Sequence, residues 1–132
     1  MRFMTLVKSA ERLGAPPLEF LDAVAKAAEA ATRDGTLILT GGLGPSATSA
    51  RIRVSNGKVT VIDGPFTEAK EVVGGFGVVE AKSLKEALEG VTALMELHRK
   101  YWPAWEGEAE VRPMFEAPAA HEAHAARVPA GA

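Results

Sequence analysis

A rigid corner at Asp63-Gly64-Pro65 is the feature that most constrains how this chain of 132 residues can fold. The β-branched run Thr60 to Ile62 predicts a strand that ends at Asp63, and residues 71–80 predict a further strand. Proline fixes its own φ and restricts the residue before it, while an aspartate side chain can hydrogen-bond nearby backbone N–H groups. The corner therefore joins two strands and orients the ionisable side chains around it, which are Asp63, Glu68, Lys70 and Glu71.

Patterns elsewhere predict strands and helices in alternation. Asn56-Gly57 is the pair that a two-residue type I′ turn prefers, so it predicts a β-hairpin. The predicted elements are a strand at Arg2–Lys8, a helix from Pro16 to Asp34, a strand at Thr36–Thr40, hairpin arms at Arg51–Ser55 and Lys58–Asp63, a helix from Ser83 to Tyr101, and a strand at Glu108–Pro113. This order predicts an α+β domain over residues 1–116, ferredoxin-like βαββαβ with an extra β-hairpin.

The apolar pattern of the first strand also predicts a second subunit. Arg2 to Lys8 carries apolar side chains on both faces, which is typical of a strand in the middle of a covered sheet. Two helices on one face would leave the other face uncovered. We therefore expect a homodimer in which a second copy buries that face.

Composition excludes several classes of protein. The chain has no cysteine, which removes disulfides, thiolate nucleophiles and cysteine-ligated metals. A net charge of −2 with mixed signs disfavours nucleic-acid binding, and no apolar run suggests a membrane span or signal peptide. The Ala/Pro-rich residues 117–132 predict a tail that is loose or docked on a partner; His121, Glu122 and His124 within it suggest adventitious metal binding only. We expect a cytoplasmic protein without a cofactor or a functional metal.

Several short motifs together resemble one family. Gly42-Leu43, Pro45, Ala47-Thr48, an arginine at 51 or 53, and the segment from Asp63 to Glu71 resemble the DGPF-domain branch of the YCII-related family. The resemblance implies a dimeric α+β barrel, in which two such sheets face one another. It also implies a regulatory context, because relatives occur beside or fused to sigma factors of the extracytoplasmic type.

The corner and its hairpin carry the candidate ligand residues. Asp63 is a candidate general base or cation ligand, or a turn-former whose carboxylate bonds backbone N–H groups. Arg51 and Arg53 share one side of the hairpin and are candidates to hold an anion. Phe66 is either a core anchor or a stacking platform, and Glu68 and Lys70 either converge on a ligand or are solvated.

His98 is the second candidate catalytic residue. It lies on the apolar stripe of the second helix, where a histidine is either catalytic or a buried residue bonded to a carbonyl. Proposed catalytic members of the wider YCII-like group pair an early histidine with an aspartate, whereas no histidine precedes His98 here. Tyr101, Trp102 and Trp105 are interpreted as packing or dimer-rim aromatics rather than a platform for a carbohydrate or a base.

Two functions follow from these residues. The first is a small-molecule-binding or regulatory module with its ligand near the Asp63 corner. The alternative is a lyase, isomerase or hydrolase without a cofactor, which uses Asp63 as base and Arg53 as anion clamp. We favour the module, because the sequence lacks an unmistakable nucleophile–base pair or metal set.

Overall fold

A computed structural model describes residues 1–115, so the tail 117–132 and its histidines lie outside the described residues. The secondary structure runs β1 (Arg2–Ser9), α1 (Leu18–Arg33), β2 (Leu37–Gly42), β3 (Ala50–Ser55), β4 (Lys58–Asp63), β5 (Val72–Glu80), α2 (Leu84–Tyr101) and β6 (Gly107–Pro113). Short 3₁₀ turns lie at Glu11–Leu13 and Ser46–Thr48. The predicted order of strands and helices is confirmed.

Four strands form one antiparallel sheet in the order β2-β5-β1-β6. The strand β1 is therefore central, as its two apolar faces predict. The helices contact each other and pack on one face of the sheet, where Phe3 is fully buried against Ala81, Ala87, Val79 and Val111. This arrangement confirms the predicted ferredoxin-like α+β fold.

Local signals set the ends of the second helix. The Ser83 side chain accepts a hydrogen bond from the Glu86 N–H at 3.2 Å, and the Glu86 carboxylate accepts one from the Lys82 N–H at 2.6 Å. The first bond satisfies an N–H group that a helix start leaves without a partner, and the second fastens the residue before the cap to the first turn. The helix ends at Tyr101, two residues before Pro103. Within residues 1–115, neither helix combines the length and the apolar character that crossing a bilayer would need.

The hairpin β3–β4 forms a separate two-stranded sheet. Asn56 and Gly57 have φ values of 53° and 76°, the positive values that the type I′ turn requires. Because this turn fixes the register, Ile52 pairs with Val61 and Val54 pairs with Val59. All four of these side chains lie on one face of the hairpin. The opposite face carries Arg51, Arg53, Ser55, Lys58, Thr60 and Ile62.

The four-stranded sheet has an outer face that neither α1 nor α2 covers. Met4 pairs with Val78 and Leu6 pairs with Phe76, so these apolar side chains share that face. The Phe76 ring lies so close to Gly41 that a Cβ there would be 3.0 Å from it. The face is apolar on β2, β5 and β1, whereas β6 places Arg112 beside Met4 and Glu110 beside Leu6. Its burial by a second copy stays a prediction.

Candidate functional site

Backbone hydrogen bonds fasten the corner to the loop before the hairpin. The Gly64 N–H donates to the Ser49 carbonyl at 2.9 Å, and the Phe66 N–H donates to the Ser46 hydroxyl at 2.9 Å. The Ala69 N–H then donates to the Phe66 carbonyl at 3.1 Å, which closes the turn. The peptide bond before Pro65 is cis. The corner is thus attached to the loop 46–49 at two points, Gly64 and Phe66, and closed by a third bond within the turn.

Ser46 is the centre of this attachment. Only 4% of its surface is exposed, and its N–H donates to the Glu11 carboxylate at 2.6 Å. Its hydroxyl donates to the other oxygen of the same carboxylate. The hydroxyl and then the N–H of Ser46 lower the pKa of Glu11, because both stabilise the ionised carboxylate. One buried serine therefore ties residue 11, its own loop and the corner together.

Gly64 occupies a position without room for a side chain. A Cβ placed on it would fall within the van der Waals radius of the Ser46 carbonyl oxygen and 2.6 Å from the carbonyl carbon. The obstructing atoms are backbone, so they cannot be moved by a change of rotamer. The glycine is required because the corner and the loop 46–49 approach each other closely.

A stacked arginine lies beside the corner. The guanidinium carbon of Arg51 is 3.9 Å from the centre of the Phe66 ring, and the guanidinium also forms an ion pair with Glu68. The pKa of Glu68 is lowered, first by a hydrogen bond from its own backbone N–H and then by the bond from Arg51. The charge of Arg53 acts in the same direction. The structure therefore brings Arg51, Arg53, Phe66 and Glu68 together, whereas Lys70 is exposed farther along the loop.

Asp63 lies on the other side of the hairpin. It pairs with Ala50, one position from the pair formed by Arg51 and Ile62, so the pleat directs Asp63 and Arg51 to opposite faces. Asp63 is exposed, and no hydrogen bond from residues 1–115 reaches its carboxylate. The chain does not bring Asp63 and Arg53 to a common face.

His98 is located in the helical layer, apart from the corner. It is 6% exposed, and its ring centre lies 4.5 Å from that of Phe20 and 4.4 Å from that of Trp105. Its Nδ1 is 2.9 Å from the Leu94 carbonyl, which can only accept, so Nδ1 carries the proton. Burial lowers the pKa of His98, and this effect outweighs the bond to Leu94, which raises it.

The aromatic residues near His98 pack against one another. The ring centres of Phe20 and Trp102 are 5.3 Å apart. His98 and Trp105 also line an open hollow of about 290 Å³ at the end of α2. No group of three or more histidine, aspartate or glutamate residues within the described part of the chain could hold a metal ion.

Glu11 and Ser46 are important residues that the sequence alone did not indicate. They are 35 positions apart in the sequence, and no local sequence pattern indicates a contact across that separation. The signal that could have suggested Ser46 is its place after Pro45 at the start of a short helix, where a serine N–H needs an acceptor. Nothing in the sequence identifies Glu11 as that acceptor.

Comparison with known proteins identifies a family and a relative. Residues 1–99 match the model of the family described as YCII-related domain. An uncharacterized protein of Rhizobium meliloti (strain 1021) is 38% identical over 70 residues, which cover 53% of this chain and 52% of the relative. The chain thus spans about half the length of this curated relative. Because the family match extends over most of the described residues and includes the corner, the chain belongs to the family of YCII-related domains.

Proposed function

We propose that this protein is a small-molecule-binding module whose ligand carries a carboxylate or a phosphate group. The proposed site is the polar face of the hairpin beside the corner, where Arg51 and Arg53 lie on one side of strand β3. The observation that carries the proposal is the position of the Arg51 guanidinium over the Phe66 ring, with its central carbon 3.9 Å from the ring centre.

Stacking on Phe66 orders the Arg51 side chain before an anion binds. A free arginine side chain loses considerable rotamer entropy when it binds, and a guanidinium already fixed on a ring has lost part of it beforehand. Its planar fork of N–H donors matches the oxygens of a carboxylate or a phosphate. A guanidinium over a ring can still donate hydrogen bonds from its edge, so the proposed ligand would bind where Glu68 pairs with Arg51.

Glu68 occupies the anion position when no ligand is present. Its carboxylate pairs with Arg51, and its side chain is largely exposed, so it can move into solvent. Arg53 lies two residues along the same strand and adds a second positive charge. An incoming anion would therefore replace Glu68 on Arg51 and gain attraction from Arg53. Glu68 acts as an internal competitor in this proposal.

The enzyme alternative finds less support. A general base at Asp63 and an anion clamp at Arg53 would have to face one substrate, yet the register directs them to opposite sides of the hairpin. His98 is enclosed by the rings of Phe20 and Trp105 in the helical layer. Binding by the arginine face needs neither residue.

We also propose that the module works as a homodimer. The support is the outer face of the sheet, which α1 and α2 leave open and on which Met4, Leu6 and Phe76 are half-buried. Adjacent apolar side chains on an open sheet face are typical of a surface that another chain buries. A symmetric dimer is the commonest way to bury it.

Calorimetric titration with a panel of small carboxylates and phosphates tests the binding proposal. For any ligand that binds, Arg51→Ala should weaken binding by about tenfold or more, because it removes charge-assisted hydrogen bonds. Arg33→Ala is the matched control, because Arg33 is an exposed helix residue that also pairs with a glutamate. Glu68→Gln should strengthen binding severalfold, because it removes the competing charge.

Two results would contradict the proposal. One is a panel in which no anion binds with a dissociation constant below about 1 mM. The other is a ligand whose affinity falls equally in Arg51→Ala and Arg33→Ala, which would place its site away from the hairpin.

A further inference from the structure

The hairpin carries an apolar face that nothing in the described chain covers. Ile52, Val54, Val59 and Val61 are between 64% and 74% exposed, although all are β-branched apolar residues. They form two adjacent cross-strand pairs, Ile52–Val61 and Val54–Val59, which we call the apolar ladder. An exposed patch of this kind, on the order of 400 Å², commonly marks an interaction surface.

The hairpin is attached to the domain only at its base. Its strands pair with each other and with no strand of the four-stranded sheet. The bonds that fasten it, from Gly64 to Ser49 and from Phe66 to Ser46, lie at the corner rather than along the ladder. A two-stranded hairpin alone is marginally stable in water and needs a further layer against its apolar side. The ladder therefore requires a cover.

We propose that the hairpin is an arm whose apolar ladder packs against a second copy of this chain. This deepens the homodimer proposed above, since it names a second surface that the dimer would bury. Each copy has two apolar faces that residues 1–115 leave open, the ladder and the outer sheet face. An isologous interface buries the same surface on both copies, and the proposed two-fold axis would bury both faces of each copy.

The size of the two faces favours a second copy as the occupant. A specific interface buries about 800 Å² on each partner. The outer sheet face alone presents few apolar side chains, with Met4 and Leu6 on β1, Phe76 and Val78 on β5, and Leu39 on β2. The ladder adds four more large apolar side chains to the same chain. The ladder thus supplies most of the exposed apolar surface that a second copy would bury, because Val78 on the sheet face is only 7% exposed.

The arm also changes the surroundings of Asp63. Strand alternation places Asp63 on the same face as Val61 and on the face opposite Arg51. A partner lying on the ladder would therefore border Asp63 and leave the arginine face open to solvent. The two faces of one hairpin would then serve different roles, with the ladder for assembly and the arginines for the ligand.

Cysteine labelling tests the arm, because the natural chain has no cysteine. Val59→Cys places a thiol on the ladder, and Thr60→Cys places one on the opposite face of the same strand. At concentrations where light scattering shows a dimer, Val59→Cys should react with a thiol reagent about tenfold more slowly than Thr60→Cys. Dilution to the monomer should equalise the two rates.

A charge in the ladder gives a second measurement. Val59→Glu should raise the dimer dissociation constant by about 100-fold or more, because it places a carboxylate against an apolar partner surface. Thr60→Glu carries the same charge on the other face and should leave that constant within about threefold of the natural value. Circular dichroism checks that both variants fold.

The outcomes separate this inference from the proposed dimer. A natural chain that remains monomeric at about 100 μM overturns both. A dimer in which Val59→Cys and Thr60→Cys react at equal rates overturns the arm alone. Protection of Val59→Cys that persists in the monomer would show that the chain covers its own ladder, which also overturns the arm.

Discussion

Replacing Gly64 by alanine should disrupt the corner. The new Cβ would overlap the Ser46 carbonyl oxygen, so that oxygen would have to retreat by roughly 2 Å to reach an ordinary van der Waals separation. Ser46 is buried and bonded to Glu11, so the loop cannot move this far without losing contacts. The alternative is for the corner to leave the loop.

Either movement breaks the same hydrogen bonds. The bond from Gly64 to Ser49 and the bond from Phe66 to Ser46 each stabilise the fold by about 1 kcal/mol. Strain from overpacking adds about 1–3 kcal/mol. We therefore expect Gly64→Ala to lower the free energy of unfolding by about 3–5 kcal/mol, a large part of the 5–15 kcal/mol that is typical of a domain.

Urea unfolding followed by circular dichroism measures this loss. Gly42→Ala is the matched control, because a Cβ on Gly42 meets no atom within 4 Å. The control should be neutral or stabilising by up to about 1 kcal/mol, since alanine restricts the unfolded chain. Amide exchange at Phe66 should accelerate in Gly64→Ala only. The reasoning is refuted if the two variants agree within about 0.5 kcal/mol and Phe66 stays protected in both.

Two further changes test the core. The hydroxyl of Thr5 is buried without a hydrogen-bond partner among the described residues, so Thr5→Val should raise the free energy of unfolding by about 1 kcal/mol in urea titrations; a loss of stability would reveal a hidden partner. Burial lowers the pKa of His98 in the folded protein. As the pH falls, the imidazole is therefore protonated in the unfolded chain before it is protonated in the folded protein, and the free energy of unfolding should decrease from about pH 6.5 down to the folded-state pKa. The His98→Phe variant should lose this component of the pH dependence, which unfolding curves at several pH values would detect, and an unchanged pH dependence would contradict the assignment.

Local chemistry explains why much of the fold was predictable. The turn at Asn56-Gly57 and the cap at Ser83 depend on residues within three positions of each other, so the sequence displays them directly. The central position of β1 follows from its own two apolar faces. The two-residue turn fixes the register of the hairpin. Strand alternation could therefore have predicted that Asp63 and Arg51 lie on opposite faces.

Contacts between distant residues explain why the site was only partly predictable. The sequence indicated Arg51, Phe66 and Glu68 as separate candidates, but their stacking and pairing depend on how the corner folds back on the hairpin. The attachment of Ser46 to Glu11 joins segments on opposite sides of α1. Periodicity and turn propensity describe residues that are close in the sequence, so they do not indicate contacts between distant segments.

The corner supports both faces of the hairpin, and this gives the proposals a common consequence. If the arginine face binds an anion and the ladder binds a second copy, Arg51→Ala should weaken ligand binding alone and Val59→Glu should weaken the dimer alone. Gly64→Ala should weaken both, because it releases the hairpin from Ser46 and Ser49 while leaving each face chemically intact. A Gly64→Ala protein that folds, dimerises and binds normally would show that neither face depends on the orientation that the corner imposes.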